Sequence, residues 1–324
     1  MKIQYFFLPV IFLSFFLISC KKDRGIIDVD PPRGTDCTDH SSVVDISERG
    51  ACNQQLNYSS SYAMSQSNGY RTITSNSIPE HAVGLFGGGN GSLNPNAIRP
   101  NNGTYRVPLS PTRSASITYL LNQNTGPQYQ FGILLNGVMI DPEAAEPWPH
   151  ERGASMSQAN WEWNLDAMSI NLGLDCNNAH VQPTGKYHYH GAPTLYLESL
   201  HISDQEMTLI GYAADGFPIY YNYGYKGGAD DNPTEVIELQ SSYRLRTGDR
   251  PGNGTDAPCG AYSGIYTGDY EYVEGLGDLD KCNGRTGVTP EYPDGTYYYV
   301  ISQNQFPYAP RCLVGTPSDD FKLR

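Results

Sequence analysis

Apolar residues in this chain come in short blocks, cut at close intervals by Gly, Pro, Asn and Asp. Residues 131–135 and 138–140 are two such blocks, joined by Asn136-Gly137. Asn-Gly between apolar runs signals a hairpin, because both residues tolerate the positive φ of a tight turn. The same reasoning predicts strands at 104–107, 129–139, 196–200, 206–212, 217–220, 235–240 and 242–246. Pro218 cannot donate to a sheet ladder, so its segment reads as an edge strand or a bulge. Residues 156–167 read as a short helix or a strand. The pattern predicts a mainly β fold: an antiparallel β-sandwich-like architecture with long loops and few short helices.

The first apolar block is of another kind. Residues 6–18 are apolar apart from Pro9 and Ser14, follow Lys2, and run into Leu17-Ile18-Ser19-Cys20. That is the layout of a lipoprotein signal peptide cleaved before Cys20, which would then carry lipid. The expected organisation is a signal peptide over 1–19, a tether and N-terminal extension over 20–80, and a β domain over 81–324. A bacterial cell-envelope protein, anchored to the outer membrane through the lipid, is the localisation this implies. Nothing after residue 20 reads as a transmembrane helix.

Composition narrows the partners. The net charge is −13, which opposes nucleic acid as a partner. Twenty-five tyrosines and 34 glycines suit many short strands and tight turns. Trp148, Trp161 and Trp163 lie close together in sequence. Exposed, they would form a platform for a glycan or peptide; buried, they would cover the core, which is the stronger reading. Besides Cys20 there are Cys37, Cys52, Cys176, Cys259, Cys282 and Cys312, an even set that implies disulfides in an exported chain. Proximity pairs Cys37 with Cys52 and Cys282 with Cys312, leaving Cys176 with Cys259.

The chemistry concentrates at residues 175–193, D-C-N-N-A-H-V-Q-P-T-G-K-Y-H-Y-H-G-A-P. In a strand, Tyr187 and Tyr189 face one way, and His188 and His190 the other. Imidazoles two apart on one strand face stand ~6.6 Å apart at Cα, close enough to converge on one ion. The Gln182-Pro183-Thr184-Gly185 turn can return His180 to their side. Three neutral imidazoles suit zinc or copper, with Glu143 as a further possible ligand. The competing reading is a rigid aromatic-histidine core with no ion. If the site were catalytic, Glu143, Glu146 and Asp215 are the candidate proton-transfer or supporting groups. Asp215 has a simpler alternative role, holding the Asp215-Gly216 turn by its side chain. Asp278, Asp280 and Asn283 are spaced as oxygen ligands for calcium, or as an acidic turn pinned by a disulfide.

Gly295-Thr296-Tyr297-Tyr298-Tyr299-Val300 echoes Gly185-Lys186-Tyr187-His188-Tyr189-His190. The echo suits two similar strands in a duplicated or symmetric sheet, with histidines in the earlier one alone.

The Tyr187-His188-Tyr189-His190 tetrad also carries a resemblance. With Asn136-Gly137-Val138, Leu174-Asp175-Cys176-Asn177-Asn178-Ala179-His180, Ala214-Asp215-Gly216-Phe217-Pro218-Ile219-Tyr220 and the 275–285 segment, the chain resembles the bacterial YHYH-domain proteins, an extracytoplasmic family, over residues 105–316. The resemblance names no activity. The family's late G-T-Y-x-Y segment often holds a histidine, where this chain has Tyr298. Three functions therefore stand at this stage: a metal-binding envelope lipoprotein, with a metal-dependent hydrolase or copper redox protein as its catalytic form; a non-catalytic glycan- or peptide-binding protein; and a structural protein that meets another envelope protein.

Overall fold

The computed structural model describes residues 49–149, 159–227 and 235–323. Cys20, Cys37 and the signal segment lie outside them. The fold is mainly β with long loops, as expected, and is built on one eight-stranded sheet. In spatial order its strands are Ala179–Val181, Tyr187–Tyr189, Met139–Ile140, Gly132–Leu134, Thr208–Ala213, Pro218–Tyr221, Thr296–Ile301 and Gly284–Gly287. The sheet is mixed and not wholly antiparallel. Tyr187–Tyr189 runs parallel to Met139–Ile140, and Thr296–Ile301 runs parallel to Pro218–Tyr221. Parallel neighbours need a long crossover connection, and residues 141–178 and 222–283 supply it.

The central strands are buried on both faces, with Ile133, Leu134, Ile140, Ile219 and Val300 fully shielded. This is why they read as continuous apolar blocks. Burying one such aliphatic side chain contributes about 1.5–3 kcal/mol. At 134–138 the hairpin closes with Gly137 N–H on the Leu134 carbonyl (2.9 Å), Leu134 N–H on the Val138 carbonyl (3.0 Å) and Gly137 at φ 79°. The Asn136 side-chain oxygen accepts from Val138 N–H (3.1 Å), fixing the turn.

Several expectations need correction. Among the described residues, strands occur before residue 81: Tyr62–Ser67 and Tyr70–Ser75 form a hairpin that pairs on with Gly103–Pro108. Its signal is Asn68-Gly69, both at positive φ. Residues 194–199 form a helix, the one α-helix among the described residues, where a strand was expected. Pro193 starts it in an extended conformation, and Tyr196 and Leu197 bury one side of the short turn. Of the two readings of the Pro218 segment, the bulge fits and the edge strand does not: its pairing with Thr208–Ala213 shifts register between Leu209 and Gly211. Pro218 is the first residue of an inner strand, where its missing N–H costs nothing to the ladder. Residues 160–166 are a strand. All three tryptophans are buried, as the core reading expects, and Trp148 and Trp163 pack with Leu165, Ile170, Ile265 and Tyr266 in a second core.

The disulfides also differ. Cys282 is bonded to Cys312, as proximity suggests. Cys52 is bonded to Cys176, which replaces both the expected Cys37–Cys52 and Cys176–Cys259 pairs. Proximity along the chain misleads here because residues 50–54 bridge to Asp175 and Val83 across the fold.

Candidate metal centre

The three histidines of the central motif meet. Residues 179–181 and 187–189 pair antiparallel with His180 directly opposite His188. Gly185, at φ 88°, donates its N–H to the Gln182 carbonyl (2.8 Å) and closes the turn between them. His190 follows the strand and is pinned by its N–H to the Asn178 carbonyl (2.8 Å). The three ring centroids form a near-equilateral triangle, with separations of 4.8, 4.7 and 4.7 Å. One nitrogen from each ring lies within 4.8 Å of the others. Among the described residues, no other group of three or more His, Cys, Asp or Glu converges in this way.

Protonation follows from the surroundings. The His180 Nδ1 sits 3.1 Å from the Leu172 carbonyl, which can only accept, so Nδ1 carries the proton and Nε2 presents a lone pair. That Nε2 is 3.2 Å from the His190 Nε2. Two nitrogens bound to one tetrahedral ion at ~2.0–2.1 Å stand ~3.3–3.4 Å apart, so the spacing fits a shared ion. The Nδ1 atoms of His188 and His190 are buried without a hydrogen-bond partner among the described residues. Burial, then the neighbouring imidazoles, holds His188 and His190 well below the usual histidine value. Burial lowers His180 too, with the Leu172 carbonyl opposing. Three neutral imidazoles with converging nitrogens are a metal-ligand set.

The opposite face of the same strand is a hydrogen-bonded support. Tyr187 donates to Asp175 Oδ2 (2.8 Å), which also accepts from Gly84 N–H (2.9 Å). The Tyr189 hydroxyl meets the Asn136 amide at 2.8 Å and the His81 Nε2 at 2.6 Å. The Cys52–Cys176 bond fixes the turn that leads into this support. Asp175, Asn136 and His81 are thus part of the site's scaffold. Asn136 is visible in sequence as a turn residue, but its reach to Tyr189, 53 positions away, is not.

The other candidates lie elsewhere. Glu143 is not among the imidazoles: it pairs with Arg311 at 2.9 Å, and Arg311 also holds Asp166 at 2.5 Å. Glu146 has a buried oxygen, Oε2, without a hydrogen-bond partner among the described residues, and burial raises its carboxyl above the usual value. Asp215 accepts from Tyr299 OH (2.6 Å), Gly315 N–H (2.8 Å) and Phe217 N–H (3.3 Å), which is the turn-holding role. Asp278 accepts from Gln240 N–H, and Asp280 from the N–H groups of Cys282 and Gly284. Asn283 donates to the Val300 carbonyl. This is an acidic turn pinned by the Cys282–Cys312 bond, in which Asp278 and Asp280 hold backbone N–H groups.

No curated protein and no solved structure matches the chain. Residues 104–315 match the family described as YHYH protein, and that stretch holds all eight strands of the central sheet and all three histidines. The chain belongs to the YHYH protein family.

Proposed function

We propose that this protein is a lipid-anchored envelope protein that holds one zinc or copper ion through His180, His188 and His190. The convergence of three neutral imidazoles carries the reading. The Nε2 atoms of His180 and His190 lie 3.2 Å apart, the separation that two ligands of one ion take. His188 and His190 are each 2% exposed, so His180 is the side from which an ion enters. Disulfides support an oxidising, extracytoplasmic compartment. The segment ending at Cys20 supports the lipid anchor.

Elemental analysis of untagged protein, with titration by zinc and by copper, tests the metal. About one equivalent per chain is expected in wild type, and loss of binding in a His188→Ala variant that keeps its near-UV circular dichroism. Wild type that stays metal-free after exposure to both metals, with no gain in Tm, would leave the imidazoles as core residues. Fatty-acid labelling tests the anchor. Label should be present in wild type and absent in Cys20→Ala; equal labelling of the two would refute it.

A further inference from the structure

The sheet repeats itself. Gly132–Leu134 and Thr208–Ala213 meet antiparallel at its centre, with Ile133 opposite Tyr212, Leu134 opposite Gly211 and Gly132 opposite Ala213. Just outside, Leu135 N–H donates to the Ile210 carbonyl and Ala214 N–H to the Phe131 carbonyl, both at 2.8 Å. These reciprocal bonds are what a local two-fold axis between Ile133 and Tyr212 requires.

Each side then follows the same path. Phe131-Gly132 and Ile210-Gly211 enter hairpins that turn at Asn136-Gly137 and Asp215-Gly216. Gly137 donates to the Leu134 carbonyl and Gly216 to the Ala213 carbonyl, both at 2.9 Å, with both glycines at positive φ. After a long connection each half makes a side-chain-held turn. Asp175 accepts from Asn177 N–H in one, and Asp280 from Cys282 N–H in the other, both at 2.9 Å. Asn178 and Asn283, at φ 53° and 52°, end these turns. The tyrosine strands come last, each parallel to the second strand of its own hairpin and antiparallel to its edge strand. Tyr187 reaches Asp175 as Tyr297 reaches Asp280. Tyr189 meets Asn136 as Tyr299 meets Asp215. Topology alone can recur by packing preference; the same side-chain bonds at the same positions point to one ancestral unit used twice.

The register then names the counterparts of the metal ligands. His180 faces His188 as Arg285 faces Tyr298. His190 bonds the Asn178 carbonyl as Val300 bonds the Asn283 carbonyl. Burial agrees: the first residue of each set is partly exposed, and the other two are buried. The second frame is complete with Arg285, Tyr298 and Val300 in these places. We infer that the sheet is an internal duplication about a local two-fold axis, and that the three histidines are a metal-binding addition to one copy of a frame that folds without imidazoles. The metal-binding part of that statement rests on the function proposed above.

Thermal unfolding in the presence of a chelator tests the inference independently of the metal. The full mature chain is compared with His188→Tyr, His190→Val, the near-isosteric His188→Gln and His190→Gln, and the frame variants Tyr189→Phe and Tyr299→Phe. Each tyrosine variant is expected to lower Tm by roughly 4 °C or more, since each strips a buried hydroxyl from its turn partner. At each histidine position, at least one exchange should lower Tm by less than either tyrosine variant. If every exchange at His188, or every exchange at His190, costs as much as a tyrosine variant or prevents folding, the histidines belong to the frame and the inference fails. Metal content of wild type, measured separately, decides the metal reading whichever way the unfolding comparison falls.

Discussion

The two halves of the central sheet share a frame and differ in what they bury. In the half that carries the histidines, titratable groups in and beside the strands are buried: Asp141, Lys186, His188 and His190. Their counterparts in the other half are Tyr220, Thr296, Tyr298 and Val300. Tyr220, Tyr298 and Val300 sit in an apolar cluster with Met207, Leu239 and Leu279. Burying ionisable groups costs stability unless something binds them, so a protein keeps them where they serve a site. One half is therefore read as scaffold and the other as scaffold plus chemistry. The disulfides follow the same division. Cys176 ties the turn of the histidine half to the N-terminal segment at Cys52, and Cys282 ties the turn of the other half to the C-terminal strand at Cys312.

The largest effect separating the halves should be a pH effect. Burial, reinforced by Glu143 and opposed by Lys186, raises Asp141 to about 7. Burial lowers Lys186 to about 8, against the pull of Asp141. Between pH 4 and 7 the folded protein keeps a proton on Asp141 that the unfolded chain releases, so this group's contribution to stability falls as pH rises. Between pH 8 and 10.5 the unfolded chain holds the Lys186 proton that the folded protein lacks, so stability recovers with pH. Urea unfolding in chelator, compared between wild type and Asp141→Asn, should show wild type losing on the order of 4 kcal/mol relative to the variant from pH 4 to 8. Tyr220→Phe, the counterpart change in the other half, should leave the pH profile of wild type in place. Parallel profiles for wild type and Asp141→Asn would mean that Asp141 stays ionised throughout, and the contrast between the halves would lose its electrostatic part.

What could be read from the sequence was local. The hairpin at Asn136-Gly137, the facing of His188 and His190, and the turn that returns His180 all depend on residues within about a dozen positions of one another. The long-range partners were not readable. Cys52 and Cys176 are 124 residues apart, Glu143 and Arg311 168, and His81 and Tyr189 108. No periodicity encodes such pairings, and the mixed sheet is hidden for the same reason, since a parallel pair is made by a crossover and not by a turn. The repeat is legible at one end, in G-x-Y-x-Y, and illegible at the other. There Leu134 answers to Ala213 and Asn136 to Asp215, and the connection to the tyrosine strand is much longer in the second copy. What the copies keep is the bond between a turn side chain and a tyrosine hydroxyl.

That shared bond gives the finest comparison. Asp215 accepts three hydrogen bonds from buried donors, so Asp215→Ala should cost about 3 kcal/mol in urea unfolding. Asn136 accepts one and donates one, and Tyr189 retains His81 as a second partner, so Asn136→Ala should cost about 1 kcal/mol. Metal affinity should show the opposite ranking. Asn136 holds the tyrosine that lies between His188 and His190, so its loss lets the strand carrying two of the proposed ligands shift. A supporting contact of this kind is worth about tenfold in metal affinity. Asp215 holds the strand of the copy without histidines and should leave affinity unchanged in protein that remains folded. Titration of the two variants with the metal found in wild type measures this directly. If Asp215→Ala weakens binding as much as Asn136→Ala, the two halves act as one rigid body around the ion. If Asn136→Ala binds as wild type does, the hairpin that carries His180 and His188 is rigid enough to position the site without its tyrosine clamp.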